Sequence, residues 1–486
     1  MCISLYTSRV VLNALGVLDY GINNVVGGVI SMMGLINSSM TVSTQRFLNY
    51  AMGKNDMVLL NKYFSSSFFI FLLLCILFFV LSETIGLWII NTKLVIPDNR
   101  IYAAICVFQF SILSTIVSLL TNPYSSAIIA HEKMSIYAYI SIFDACLKLS
   151  IAFLITNVSY DRLITYSFLL LSSTIIQSLI YVIFCLYNFK ECKLHIIFDK
   201  HLYKEVLSFS GWNLFGAMSN FVKGQGLNIL LNMFFNPAVN AARGIAYQVN
   251  NAISNFYSNF YMAARPQLIQ YYAGKEYNSF FLLLFRSARL SFFLVLIFSL
   301  PLILETNYII QLWLGRIPDY VVPFFRLIII ITAIDAIVAP LNTASSATGN
   351  VKIYQIVLSS LNIANLPISY LCLKFGHSPI IVFQISLSIA FINLFVRAFL
   401  IKRLIKNFPI KKFFIEVYLN LVFVSALSFS LSYLVKIILP DSNIMSLVVC
   451  LWSFIITLLT ILCIGLNIEE RKILTNKIRL KLHQNA

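Results

Sequence analysis

Apolar runs of transmembrane length follow one another along the chain, separated by short polar joints. A helix needs about 20 mostly apolar residues to cross the hydrocarbon core of a bilayer. On that criterion the pattern predicts about 14 spans, centred near residues 8, 32, 76, 112, 147, 174, 220, 250, 294, 332, 363, 390, 425 and 454. The fold class is an all-α membrane protein. Two of the runs are unusually polar. Asn24, Asn37, Ser38, Ser39, Thr41, Ser43, Thr44 and Gln45 thread the one near residue 32, and Asn250, Asn251, Ser254, Asn255, Tyr257, Ser258 and Asn259 thread the one near 250. Such helices line a wet cavity or hydrogen-bond to neighbouring helices; the first reading makes Asn250 and Asn251 candidate substrate-binding residues.

The same polar positions expose an internal repeat. Leu12-Asn13 and Arg46 recur as Leu231-Asn232 and Arg265, and Glu83-Thr84 recurs as Glu305-Thr306. Asn122, Ser125, Ser126 and Ala127 recur as Asn342, Ser345, Ser346 and Ala347, and Lys133 as Lys352, all at an offset of about 220 residues. Six spans per repeat return the second copy to the side from which the first began, so the repeat is parallel. The chain thus divides into a first six-helix lobe (1–190), a second (200–408) and two further helices with a basic tail (409–486). The register also leaves the first helix short. It has roughly a dozen apolar residues before Gly16, too few to cross about 30 Å, which is the expectation for a misassigned start codon or a truncated chain.

Composition narrows the possibilities. Hydrophobic residues make up 59% of the chain and charged residues 11%, mean hydropathy is +0.86, and no stretch is left for a soluble domain. Of the 35 Lys and Arg residues, roughly two dozen fall on the joints and tail that are inside if the termini are cytoplasmic, and about seven fall outside. Both termini are therefore expected in the cytoplasm. The net charge of +17 is scattered over short joints, which argues for orientation and against nucleic-acid binding. The nine cysteines show no CxxC spacing and no neighbouring histidines, so metal sites and disulfides are not expected. Arg9 interrupts the first apolar run instead of preceding it, unlike a signal peptide. Walker, GxSxG and dinucleotide motifs are absent from the sequence, and the expectation is a protein that is not an enzyme and carries no cofactor.

Charges inside the spans carry the chemistry, because each costs at least a few kcal/mol in a bilayer. Arg9 is either a cavity cation or a residue snorkelling from a short helix. Lys223 lies in FVKGQGLNILL, where Gly224 and Gly226 permit close helix approach or local unwinding; it lines a cavity or reaches an interface. Arg243 is a cavity cation or an interfacial anchor. Asp144 and Lys148 are spaced i, i+4 and face one another on one helix turn, as a structural pair or as a cavity pair that exchanges partners. Asp335 has no local cation and precedes Pro340, a candidate helix break; it carries protons or cations, or is a hydrogen-bonded structural acid. Arg326 reads as interfacial, and Glu83 and Glu305 as helix-end or gate residues. Arg46 and Arg265, equivalent in the repeat, fall on inside joints and are candidate cytoplasmic gate residues.

LYTSRVVLNALGVLDYGINNVVGG, STQRFLNYAMGKND, ETIGLWIINTKLVIPDNR, AIIAHEKMSIYAYISIFDACLKL, NAARGIAYQVNN, ARPQLIQYYAGKE and PLNTASSATGN resemble segments of the Wzx-type polysaccharide exporters of Bacteroidetes. Those exporters belong to the multidrug/oligosaccharidyl-lipid/polysaccharide (MOP) exporter superfamily. The resemblance implies a MATE-like transporter of two six-helix lobes and two extra helices in the bacterial inner membrane. Its cargo would be an undecaprenyl-diphosphate-linked oligosaccharide, such as an O-antigen or capsule unit, moved by alternating access. It also implies a monomer driven by a proton or sodium gradient or by the membrane potential, with Asp144 and Asp335 as couplers. Arg9, Lys148, Lys223 and Arg243 would then face the anionic cargo. Rival expectations are a multidrug cation antiporter of the same fold, which calls for more carboxylates than cations in the cavity, and a lipid II flippase. A membrane glycosyltransferase or polymerase would need a longer catalytic loop than any joint here.

Overall fold

The computed structural model describes residues 7, 10–11, 13–16, 19–23, 33–92, 97–158, 160–195, 199–235, 237–315, 317–440, 442–467 and 470–472. In chain order the helices are α1 (Met33–Gly53), α2 (Met57–Gly86), α3 (Ile101–Ala130), α4 (Met134–Leu154), α5 (Arg162–Asn188), α6 (Lys200–Phe234) and α7 (Pro237–Ala273). They continue with α8 (Tyr277–Leu304), α9 (Thr306–Leu314), α10 (Val321–Thr348), α11 (Lys352–Lys374), α12 (Ile380–Leu404), α13 (Ile410–Ile438) and α14 (Asn443–Gly465). Ten of these, α2–α5, α8 and α10–α14, are long and apolar enough to cross a membrane. The polar helices α1, α6 and α7 have 21, 35 and 37 residues and miss that criterion by composition, not by length. The expected first span lies largely outside the described residues, and Arg9 lies wholly outside them.

Local chemistry sets several helix ends. Asp56 caps α2 by accepting from Leu59 N, Asp161 caps α5 by accepting from Leu163 N and Ile164 N, and Ser442 caps α14 through Met445 N. Gly349 stops α10 at a left-handed φ of 78°. Pro340 does not break α10, which runs unbroken from Val321 to Thr348. Helix length is where the sequence reading fails. At 1.5 Å per residue α6 is about 52 Å long, well beyond the hydrocarbon core, and α1 and α7 likewise run on through their polar ends. Arg46 and Arg265, expected on joints, both lie within helices, as do Arg286, Arg289 and Arg397.

The repeat is visible in backbone detail. Asn55 and Lys275, 220 residues apart, both adopt positive φ (55° and 60°). The turn around Asn55 bonds Asn55 N to Met52 O and Asp56 N to Ala51 O; the turn around Lys275 bonds Lys275 N to Tyr272 O and Glu276 N to Tyr271 O. Helices α2 to α5 have counterparts in α8 and α10 to α12 at nearly the same offset.

Two compact units divide the chain within α6, Met1–Ala217 and Met218–Ala486. In the first, Phe78, Val107, Phe108 and Ile112 form a core between α2 and α3, while α4 is only 17% buried along its apolar window. In the second, α10 packs against α7, α8 and α12, and α8 and α10 are the most buried spans. The final helices α13 and α14 belong to this unit: Phe413, Val417, Leu421, Val424 and Ile461 join one cluster with Phe285, Phe293 and Leu296 of α8. Lipid chains are as apolar as leucine, so close approach has to come from small residues. Gly226 provides it, since a Cβ there would lie 2.6 Å from a Leu366 methyl of α11.

Candidate functional site

Polar side chains from α6, α7, α10, α11 and α12 converge inside the second unit. The Tyr354 hydroxyl donates to Asn342 Oδ1 (2.7 Å) and accepts from Arg397 Nη1 (2.9 Å). Arg397 also donates to Asn342 Oδ1, and its guanidinium lies 5.5 Å from the Tyr354 ring centre. Tyr261 is within electrostatic range of both Tyr354 and Arg265. The Nε groups of Arg265 and Arg397 are buried without a hydrogen-bond acceptor among the described residues. Asp335, on the central helix α10, is in electrostatic range of Lys223 on α6 and Arg397 on α12. Asp335 is exposed, between the buried Ile334 and Ala336. Lys223 is half-buried, and no described carboxylate lies within 4 Å of Lys223, Arg265 or Arg397.

A second set of polar bonds joins the same helices. Asn362 donates to Asn220 Oδ1 (3.0 Å) and Asn393 donates to Asn362 Oδ1 (3.1 Å), linking α6, α11 and α12. Thr332 donates to Asn250 Oδ1, which ties Asn250 to α10, whereas Asn251 is exposed on α7. Arg243 donates to the Gly224 carbonyl (2.8 Å) and stacks 4.6 Å over Tyr247. These contacts tie α7 to α6.

The first unit treats its charges differently. Arg46 is 3% exposed, stacks on Phe47, Tyr50 and Phe209 and lies 3.8 Å from Glu205 Oε1. No described carboxylate lies within 4 Å of its repeat partner Arg265. Asn122 donates to Asn37, whereas the equivalent Asn342 serves Arg397 and Tyr354. Lys148 and Asp144 pair at 2.7 Å on α4, with Lys148 47% exposed. Glu83 accepts from Gln109 (3.2 Å); in the second unit Glu305 pairs with Lys436 at 3.0 Å, and Arg326 Nε donates to Thr306 Oγ1 (3.1 Å). Among the described residues no group of His, Cys, Asp and Glu is arranged to hold a metal ion, and the described cysteines are free.

No family model matches the chain, and no curated protein matches it in sequence. Solved structures do match. One is a MATE in complex with MaD3S (TM-score 0.72, 11% identity, 83% of this chain and 93% of that one). Another is a multidrug resistance MATE family transporter of the MOP superfamily in an outward-facing conformation (0.67, 11%, 83% and 92%). A third is a MOP superfamily transporter from Pyrococcus furiosus (0.66, 11%, 83% and 92%). The chain has the MATE fold. With ten apolar helices in that fold it is a multi-pass membrane protein. The structure places Lys223 and Asp335, both singled out in the sequence, in electrostatic range of one another, and adds Arg397, Asn342 and Tyr354, which were not singled out as their partners. A signal for Arg397 was present: it interrupts the apolar run FINLFVRAFL, as Arg9 interrupts the first.

Proposed function

We propose that the chain is a MOP-type exporter that carries an anionic, lipid-linked oligosaccharide across the bacterial inner membrane by alternating access. The observation that supports this most is the charge of this cluster: Lys223 and Arg397 lie in electrostatic range of a single carboxylate, Asp335, and no described carboxylate lies within 4 Å of the neighbouring Arg265. Unpaired cations in a low-dielectric interior suit a diphosphate or an acidic sugar and repel a cationic drug. Pocket polarity varies within this fold, since the Pyrococcus furiosus transporter is described as having a binding pocket of reverse polarity that suggests a different function. In the cycle we propose, the polar head passes this cluster while the polyprenyl tail stays in lipid. Asp335 exchanges its cation partners with the cargo or with a coupling proton or sodium ion, and Arg46 and Arg265 gate the cytoplasmic side. Both termini are cytoplasmic and the unit of transport is a monomer.

The multidrug fold neighbours favour a second reading, a cation antiporter in which Asp335 holds the drug. Complementation separates the two. In a strain lacking the protein and its surface glycan, Lys223→Ala and Arg397→Ala should fail to restore export while reaching wild-type membrane levels. Normal export by both variants overturns the cationic-cluster reading. Extrusion of ethidium by the wild-type chain, lost in Asp335→Asn and without any effect on glycan, selects the antiporter.

A further inference from the structure

The beginning of α8, the joint before α13 and the segment after α14 enclose a cavity of about 960 Å³, which the proposed transport cycle does not use. Its cations are Lys275, Arg286, Arg289 and Lys412. Arg289 is committed: Nη1 donates to Asn467 Oδ1 (2.8 Å) and Nη2 to Glu470 Oε1 (2.7 Å). Arg286 and Lys412 are held more loosely, in ion pairs of 3.7 Å between Arg286 Nε and Glu470 Oε1 and 3.6 Å between Lys412 Nζ and Glu416 Oε1. Lys275, in the turn between α7 and α8, has no described carboxylate within 4 Å. Three carboxylates, Glu276, Glu416 and Glu470, share the lining with the four cations; an ammonium offers three donors and a guanidinium five, so the cations keep donors beyond those their carboxylate partners take up. Beside them Phe281 and Leu282 form an apolar wall, and Leu282 is 63% exposed.

We propose that this cavity binds the phosphodiester headgroup of an anionic glycerophospholipid. Lys275, Arg286 and Lys412 would hold the phosphate, and Phe281 and Leu282 would contact the first methylenes of the chains. Basic pockets between membrane helices recognise such headgroups. The volume lies at the upper end of small-molecule pockets, far more than a free phosphate fills, and the apolar wall has no use for an inorganic ion. Native mass spectrometry of the full-length chain in neutral detergent tests this, with dioleoyl-phosphatidylglycerol, dioleoyl-phosphatidylcholine and inorganic phosphate as probes. The wild type should retain one phosphatidylglycerol, and the triple variant Lys275→Ala, Arg286→Gln, Lys412→Ala should bind it at least tenfold more weakly. The charge-conserving triple Lys275→Arg, Arg286→Lys, Lys412→Arg should retain it, which separates lost ligands from lost folding. Removal of three exposed cations elsewhere, by Lys133→Ala, Lys190→Ala and Lys374→Ala, should leave it unchanged. Wild-type retention by the alanine and glutamine triple overturns the site. Equal retention of phosphatidylcholine overturns the requirement for anionic charge, and displacement by millimolar inorganic phosphate overturns the lipid as its source.

Discussion

Replacing Glu470 by alanine strips the carboxylate from a guanidinium that is sealed in place. Arg289 is 3% exposed. Its Nη2 lies 2.7 Å from Glu470 Oε1, while Glu470 Oε2 accepts from Asn467 N at 2.9 Å and fixes the segment after α14. Removing one partner of a buried pair costs about 3–5 kcal/mol, because the remaining charge stays desolvated, whereas replacing both by apolar groups of similar size is about neutral. Asn467 keeps one bond to Arg289, so the lower end applies. About 3 kcal/mol corresponds to a Tm lowered by roughly 6–12 °C in a domain of this size class. The assay heats the full-length chain in neutral, lipid-free detergent and reads the surviving monodisperse fraction by size exclusion. Glu470→Ala should lose that much, and the double variant Arg289→Met, Glu470→Met should recover most of it. A Glu470→Ala midpoint within about 2 °C of wild type, or a double variant that falls by the sum of the two single changes, refutes the reasoning, since additivity means no coupling.

Other expectations follow from the same physics. Arg100 donates to Asp161 (2.5 Å) and to Asp19. Burial pushes the Asp161 carboxyl up, but the Arg100 bond and the N–H groups of Ile164 and Leu163 outweigh it and hold it below the usual carboxylate range. The stabilisation is therefore present above about pH 4 and fades as pH falls through the lowered folded value; Asp161→Asn keeps the cap, and its Tm deficit should shrink below about pH 4. Gly226→Val should cost about 1–3 kcal/mol by overpacking, and Leu366→Ala in the same chain should relieve it, read as thermal midpoints. Asp144 and Lys148 are closed on each other, so Asp144→Asn with Lys148→Met should preserve export; loss of export by a well-folded double variant gives the pair a role in the cycle.

Sites 4 residues apart were legible, and sites 50 or 180 apart were not. The Asp144–Lys148 pair follows from helix geometry alone. The Arg289–Glu470 clasp and the Arg397–Asn342–Tyr354 hub join helices distant in sequence, and nothing in an apolar run says which neighbour a charge will find. The same limit misplaced Arg46 and Arg265. Hydropathy ends a span where polar residues begin, but a helix goes on as long as its side chains are satisfied, and Phe209 and Glu205 satisfy Arg46 from another helix.

By itself the sequence determined that this is an all-helical membrane chain built on a 220-residue repeat, because apolar run length and backbone turn chemistry are local properties. It also marked Lys223 and Asp335, since a charge in hydrocarbon is costly wherever it points. Tertiary structure alone decided which charges are quenched and which are left open. Repeat-equivalent arginines came out opposite, Arg46 beside a carboxylate and Arg265 with no described carboxylate within 4 Å, because a buried charge takes its character from the groups that packing brings within a few ångströms of it.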